Sequence, residues 1–203
     1  MKQSLKEQIF LAVEEEKPIE GMQFEGEWME EMDISRMEFD QVTFTKCRFI
    51  SCDFLAASFY DVMFINCEFS NCNFKESYWK RVTIKDCKAD GSKFGRSSFR
   101  ELHITGSTFC YANCIQTLWE NCRIEESDFK ESFLSEVKWK KPVLSKVNFA
   151  NADFFKTPLK GIDLSDCNID HIMMSDQYKE IAGAKINMFQ AVELAKLLGV
   201  KVV

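Results

Sequence analysis

Glycine and proline are scarce in this chain of 203 residues, with eight and three copies. Its turns therefore depend on other residues. No stretch approaches the roughly 18 apolar residues that a membrane-spanning helix needs. The early apolar run Ile9 to Val13 is short and charged on both sides, so we expect no signal peptide. With no sign of secretion, the nine cysteines fit a reducing cytoplasm, and we expect a cytoplasmic protein without a membrane partner.

Tyrosine is also rare, with four copies against 19 phenylalanines. Phenylalanine has no polar group, so this bias indicates a continuous dry core. Positive charge is in deficit, and the formal net charge of −6 argues against direct binding to nucleic acid.

The dominant pattern is a period of five. From residue 24 to residue 174 every fifth position is large and apolar, apart from the smaller Ala89 and Cys114, with no insertion or deletion. A second column two residues earlier is small or apolar, with Glu27 and Pro142 as exceptions. Neither a helix nor a long strand has this spacing. It fits a short extended piece with two inward side chains followed by a tight turn.

Four such pieces close a square coil of 20 residues, and stacked coils pair as parallel strands about 4.8 Å apart. The register gives about eight coils. The pattern resembles the pentapeptide-repeat family over about three quarters of the chain, in units such as Cys52-Asp53-Phe54, Cys72-Asn73-Phe74 and Ala152-Asp153-Phe154. The resemblance implies an all-β repeat fold, a right-handed quadrilateral parallel β-helix (solenoid).

The two ends of such a rod need caps. At the N-terminus Ser4 to Glu7 reads as a capping box that opens a helix, with Leu5, Ile9, Ala12 and Val13 on one face. We predict an N-terminal helical cap over residues 1–20, the β-solenoid over 21–176, and a C-terminal helix with a short closing strand over 177–203. In the last segment Asn187 and Gln190 form a cap pair, and Gly199 ends the helix.

The C-terminal helix has one narrow polar stripe, formed by Gln190, Glu193 and Lys196. A helix that is apolar elsewhere buries more than one side. One side can cover the last coil, and a second copy of the chain is the commonest partner for the other. The residues predicted at a dimer interface are Phe189, Val192, Leu194, Leu197 and Leu198.

The tail from Ala184 to Val200 resembles that of the Qnr-type branch of the family. The resemblance implies a bacterial homodimer that acts as a DNA mimic, engages DNA gyrase and topoisomerase IV, and protects them from fluoroquinolones. Many members of the branch carry loops that project from the coils, whereas the uninterrupted register here leaves no room for one. The alternative is a structural scaffold for an unrelated protein partner, with no topoisomerase role.

One side of the predicted rod, residues 27–31 and every twentieth residue onward, carries eight acids against three bases, Arg48, Lys88 and Lys130. We expect this acidic side to meet a partner protein. Its acids are Glu27, Glu30, Glu31, Glu68, Asp90, Asp128, Glu131 and Asp170, and all but Asp90 are taken as the candidate surface.

No arrangement of residues indicates catalysis, and we expect no enzyme activity, cofactor or metal. The cysteines stack in parallel inward columns, where Cβ atoms about 4.8 Å apart exceed the usual separation in a disulfide, and four ligands do not converge. Cys110 is expected to face outward and to be the most reactive thiol. His103 and His171 are outward and far apart. The outward apolar residues Leu55, Ile115, Phe133 and Phe155 are either scattered surface residues or part of a partner surface.

Overall fold

The computed structural model describes residues 4–197 and 199–201. Helix α1 spans Leu5–Glu15, helix α2 spans Met188–Leu197, and a 3-10 helix spans Lys179–Ile181. The strands within these residues are β1 (Ile19–Glu20), β2 (Gln23–Glu25), β3 (Trp28–Glu30), β4 (Glu38–Asp40), β5 (Thr43–Thr45), β6 (Arg48–Ile50), β7 (Ser58–Tyr60), β8 (Met63–Ile65), β9 (Tyr78–Lys80), β10 (Thr83–Lys85), β11 (Ser98–Arg100), β12 (His103–Thr105), β13 (Leu118–Glu120), β14 (Arg123–Glu125), β15 (Lys138–Lys140) and β16 (Val143–Ser145).

The strands stack as a parallel solenoid, which confirms the predicted fold. One seven-stranded sheet has the order β1-β4-β7-β9-β11-β13-β15, a second has β2-β5-β8-β10-β12-β14-β16, and β3 pairs with β6. Partners are 20 residues apart, as in Phe39 with Phe59 and Ile84 with Ile104. Each seven-stranded ladder makes six turns, fewer than the eight coils expected, because isolated bridges replace strands beyond Ser145.

The corners of the coil explain how the chain turns with so little glycine. From Gly21 to Gly161 the residue two places after each central apolar residue has a positive φ, as in Arg36 (60°), Gln41 (54°) and Lys46 (53°). This left-handed conformation is unfavourable for a residue with a side chain. It persists because the corner N–H groups from Gly21 to Glu136 donate to carbonyls of the next coil, as from Gln41 to the Tyr60 carbonyl at 2.9 Å.

The core is a set of aromatic stacks along the rod axis. In one column Phe59 stacks on Trp79 with ring centroids 4.2 Å apart, and Phe99 lies 4.3 Å from Trp119. In a neighbouring column Phe74 stacks on Phe94 at 5.1 Å. Parallel pairing brings identical positions about 4.8 Å apart, so aromatic rings at the same site pack face to face. The inside of the rod is therefore filled.

Helix α1 caps the first coil through Leu5, Ile9 and Ala12, which are buried, and the predicted capping box between Ser4 and Glu7 is present. Val13, predicted on the same face, is exposed. It follows Ala12 directly and is therefore turned about 100° away from it. Strand β1 lies inside the predicted cap of residues 1–20, because Ile19 already pairs with Phe39.

The C-terminal end continues the coil with a two-residue shift. Asp153 bridges to Met173, 20 residues on, whereas Asp163 bridges to Lys185, 22 residues on. The solenoid thus reaches into the predicted tail. Within the described part of the chain neither helix is long and apolar enough to cross a membrane. Val200 and Lys201 form no strand, contrary to the predicted closing strand, and its last two residues lie outside the described region.

Candidate protein-interaction surface

The acidic side predicted from the sequence is one side of the rod, built on β3, β6 and the bridges that continue them. Glu30, Glu31 and Asp170 are exposed, and Glu68, Asp128 and Glu131 are half-buried. Glu27 is a correction to the predicted outer surface. It occupies the second inward column of the first coil and is half-buried, because that column faces the core.

The acids in the middle of this side are paired within the rod, whereas those at its N-terminal end are not paired with described residues. Three acids have partners: Glu68 with Arg48 at 3.0 Å, Asp128 with the side-chain amide of Asn148 at 3.0 Å, and Glu131 with Lys130 at 3.4 Å. Glu30 and Glu31 form no ion pair with any described residue. The unneutralised carboxylates near the start of the rod are thus the strongest candidates for an incoming cation.

Ion pairs between consecutive coils neutralise acids on the other sides as well. Their partners are one coil apart: Arg81 with Asp61 and Arg96 with Glu76 at 2.5 Å, Arg100 with Glu120 at 3.5 Å, and Lys146 with Glu126 at 2.8 Å. The Arg81 hydrogen bond holds the pKa of Asp61 below its usual value. Exposed pairs of this kind contribute little stability. They do lower the density of free negative charge along the rod.

The histidines do not form a catalytic arrangement in the described residues. His103 Nε2 lies 3.0 Å from Glu125 Oε2, and this hydrogen bond is the main cause of the lowered pKa of Glu125. The Thr105 hydroxyl also lies 3.2 Å from His103 Nε2. His171 is exposed elsewhere on the rod. His103 is thus part of a surface hydrogen-bond network with Glu125 and Thr105.

All nine cysteines are free thiols, and eight of them are buried. Burial raises the pKa of Cys114 to about 12. Cys110 is only half-buried, yet burial, followed by the charges of Asp128 and Asp90, raises its pKa to about 11. The thiolate is the reactive form, so the raised pKa lowers the reactivity of Cys110, which is the most exposed of the nine thiols, as predicted. Among the described residues no group of three or more His, Cys, Asp or Glu side chains is placed to hold a metal ion.

An apolar strip lies on the surface toward the C-terminal end. Of the outward apolar residues predicted from the sequence, Phe133 and Phe155 are exposed and Leu55 and Ile115 are half-buried. Tyr111 and Met173 extend the strip. Sequence reasoning missed both, although Met173 stands in the same column as Phe133.

Apart from Lys93, the other residues of this column are Asp or Asn, which form turns. Its Asp and Asn residues accept a hydrogen bond from the backbone N–H two residues on, as Asp53 does from Leu55 at 2.8 Å and Asn113 from Ile115 at 3.1 Å. Phe133 and Met173 cannot make this bond.

Helix α2 is fixed to the last coil by a polar side chain. Asn187 and Gln190 exchange backbone-to-side-chain hydrogen bonds of 2.7 and 3.0 Å, which confirms the predicted cap pair. The Gln190 amide also donates to the carbonyls of Leu164 at 2.8 Å and Cys167 at 2.7 Å. Gln190 is therefore buried, although its helical spacing placed it in an exposed polar stripe.

The residues predicted at a dimer interface separate into three groups. Phe189 is 78% exposed, and Met188 beside it is 75% exposed. Val192 is half-buried, and Leu194 packs against the core of the rod, so it is turned toward the last coil. Leu198 and the side chain of Leu197 lie outside the described residues. The free apolar surface of this helix is centred on Met188 and Phe189.

Comparisons with known proteins add a family match. The family described as "Pentapeptide repeat region" matches residues 19–94. Among solved structures, trypsin-treated QnrB1, a plasmid-mediated fluoroquinolone resistance protein, is similar over 92% of this chain and 98% of its own, with 22% identity and a TM-score of 0.48. HetL, involved in heterocyst differentiation regulation in the cyanobacterium Nostoc sp. strain PCC 7120, is similar over 90% of this chain and 94% of its own, with 9% identity and a TM-score of 0.39. No curated protein matches the chain.

Proposed function

We propose that this chain, whose residues 19–94 match the pentapeptide-repeat family, acts without catalysis by presenting the surface of a rigid rod to a protein partner. The filled interior carries this proposal. Aromatic stacks occupy the square core, so the functional groups lie on the outside of a convex rod. Acid–base or nucleophilic catalysis uses a concave, partly desolvated site. A convex surface with an acidic side is suited to binding another macromolecule.

The partner we propose is a type II topoisomerase, DNA gyrase or topoisomerase IV, with the rod acting as a DNA mimic in the manner of the Qnr branch. Two features support this choice. The tail from Ala184 to Val200 resembles the Qnr tail, and the acidic side carries the carboxylates of Glu30 and Glu31 without ion pairs to described residues. A groove that binds duplex DNA meets about one negative charge per 1.7 Å, and exposed carboxylates are the groups that could compete for it.

The test is inhibition of DNA supercoiling by purified gyrase. We expect inhibition at micromolar protein, and weaker inhibition by the Glu30→Gln, Glu31→Gln double variant. A matched control is Glu101→Gln with Asp176→Asn, which removes two exposed charges elsewhere on the rod. Equal loss of inhibition in both double variants would assign the effect to net charge and not to the acidic side.

A second function, a scaffold for an unrelated protein partner, is favoured by the ion pairs along the rod and by the uninterrupted coils. The pairs Arg81–Asp61 and Arg96–Glu76 leave fewer free charges than a mimic of DNA needs. All bridges from Asp33 to Met173 keep the 20-residue spacing, so no loop projects between them. Recovery of topoisomerases alone in an affinity purification would count against this function.

We also propose that the chain forms a homodimer through its C-terminal helix. The exposed Met188 and Phe189 support this proposal, because neighbouring large apolar side chains on a short helix are suited to burial against a partner. Light scattering should give about twice 23.6 kDa. Phe189→Glu should reduce this mass to that of one chain, whereas Glu193→Gln on the same helix should leave it unchanged. A single-chain mass for the wild type would refute the dimer.

A further inference from the structure

Trp28 differs from the other tryptophans of the chain. Trp79 and Trp119 are fully buried, and Trp139 is half-buried. Trp28 lies in β3 on the first coil, next to the inward Met29, and is 63% exposed. An exposed indole contributes nothing to the core, and tryptophan is among the residues most enriched at the energetic centres of protein interfaces. The position of Trp28 therefore calls for a functional explanation.

The indole ring of Trp28 packs against a side chain of the next coil. The guanidinium carbon of Arg48, its partner on β6, lies 5.3 Å from the ring centroid. Arg48 is held in turn by Glu68, which accepts from its Nε at 3.1 Å and contacts its Nη2 at 3.0 Å. Three consecutive coils thus form a ladder that ends in the exposed ring. A side chain ordered before binding loses less entropy when a partner arrives.

Carboxylates stand beside this ring. Glu30 lies two residues after Trp28 on the same outward face of β3, so the two side chains emerge about 7 Å apart. Glu31 follows at the corner, and neither acid forms an ion pair with a described residue. The surrounding chain is strongly acidic, because residues 1–40 contain twelve acids and four bases.

Helix α1, at the same end of the rod, adds apolar surface. Phe10 is 61% exposed and Val13 is also exposed, on a helix that carries Glu14 and Glu15 beside them. This end therefore offers apolar side chains within an acidic surface. A partner that matches it needs apolar contacts and positive charge together.

We propose that Trp28 and Glu30 form a docking site for an arginine in a basic segment of a protein partner. A guanidinium stacks on an indole face and pairs with a carboxylate through two parallel N–H donors, which a lysine cannot reproduce. The acidic surroundings favour a basic protein segment and repel nucleic acid. The inference rests on the proposed function in one respect, that the acidic side of the rod is the side that meets a protein.

The test uses two short peptides, acetylated and amidated at their ends: one rich in arginine, and the same peptide with lysine in every arginine position. Binding is followed by tryptophan fluorescence and by titration calorimetry. We expect saturable binding of the arginine peptide that changes the Trp28 emission, and affinity for the lysine peptide lower by about tenfold. Trp28→Ala should lose binding in calorimetry while keeping its circular dichroism spectrum.

Matched charge variants make the result specific. Glu30→Gln with Glu31→Gln should weaken arginine-peptide binding by about tenfold or more, and Glu101→Gln with Asp176→Asn should change it by less than about twofold. The proposal would be overturned if Trp28→Ala left peptide binding unchanged, or if the two double variants lowered it equally. A Trp28 emission that changes with the protein's own concentration would assign the surface to a second copy and would also overturn it.

The supercoiling assay separates this inference from the proposed function. If Trp28→Ala inhibits gyrase as the wild type does and the peptide does not bind, the docking site is wrong and the function stands. If the wild type leaves gyrase active and the peptide binds at Trp28, the function is wrong and the docking site stands.

Discussion

The indole N–H of Trp119 donates to the hydroxyl of Thr117 at 2.8 Å. Trp79, two coils earlier in the same column, makes the same bond to Ser77 at 2.7 Å. Trp139 follows one coil after Trp119, but Val137 stands two residues before it. The indole N–H of Trp139 is buried and has no hydrogen-bond partner among the described residues. The residue in the second inward column, a hydroxyl residue or a valine, thus decides whether the indole N–H of a core tryptophan is hydrogen-bonded.

Val137→Thr should therefore stabilise the protein. The new hydroxyl supplies the missing acceptor, and we expect the free energy of unfolding to rise by about 1 kcal/mol. Thr117→Val makes the opposite change and should lower it by about 1–3 kcal/mol, because it leaves the Trp119 N–H unsatisfied. Urea unfolding with an unchanged m-value is the measurement. A destabilised Val137→Thr beside a neutral Thr117→Val would contradict this account.

The corners of the coil predict a difference between two substitutions at Lys46, which has a φ of 53°. Lys46→Val should lower the free energy of unfolding by about 1–2 kcal/mol, because a β-branched residue is strained in the left-handed conformation. Lys46→Asn removes the same charge and should be nearly neutral, since asparagine tolerates this region. Equal unfolding midpoints for the two variants would show that the corner carries no backbone strain.

Glu180 should make stability at the C-terminal end depend on pH. It is 5% exposed and accepts from the backbone N–H of Lys156 at 2.9 Å and from the Ser175 hydroxyl at 2.9 Å. Burial alone would raise the pKa of Glu180, but these hydrogen bonds outweigh it and hold the pKa below its usual value. A lowered pKa in the folded state means that the stabilisation is present above the unfolded value and is lost as the pH falls through the folded value.

The measurement compares Glu180→Gln with the wild type in urea at two pH values. At pH 7 the variant should be less stable by about 1–3 kcal/mol. The difference should shrink toward pH 3, about one unit below the pKa of a glutamate in an unfolded chain, as the wild-type carboxylate begins to take up its proton. A difference that grows at low pH would have the wrong sign for this account.

Gln190 should control whether helix α2 stays on the rod. Gln190→Leu removes the hydrogen bonds to the carbonyls of Leu164 and Cys167; the Leu164 carbonyl keeps its bond from the Cys167 N–H, whereas the buried Cys167 carbonyl loses its side-chain donor. We expect amide hydrogen exchange in residues 188–197 to accelerate by about tenfold or more, with the coils unchanged. Glu193→Gln, an exposed change on the same helix, should not accelerate it. Equal protection in the two variants would mean that Leu194 and its neighbours hold the helix alone.

The solenoid was predictable because its rule is local and repeated. A period of five with two inward positions predicts which side chains stack in the core, and the strand pairs from Phe24 with Phe44 onward have the predicted register. The structure differs from the prediction at the two ends of the solenoid, where the repeat adjoins a helix. The coil starts at Ile19 and ends with a two-residue shift at Lys185, because the helices and not the repeat decide where stacking stops.

The candidate surface was predictable in part. The 20-residue period of the coil placed Glu30 and Glu31 on the acidic side. It could not show that Arg48 pairs with Glu68 and packs against Trp28. Such contacts depend on rotamers across neighbouring coils. Helical spacing likewise placed Gln190 in a polar stripe, whereas its amide is buried and donates to the carbonyls of Leu164 and Cys167 at the end of the last coil.

The central claim is that the rod acts by binding a type II topoisomerase through its surface. The most direct measurement is supercoiling of relaxed plasmid DNA by purified bacterial gyrase with increasing amounts of the folded protein. The account predicts inhibition at micromolar protein that is weakened by Glu30→Gln with Glu31→Gln and kept by Glu101→Gln with Asp176→Asn. Full gyrase activity at every protein concentration would contradict it.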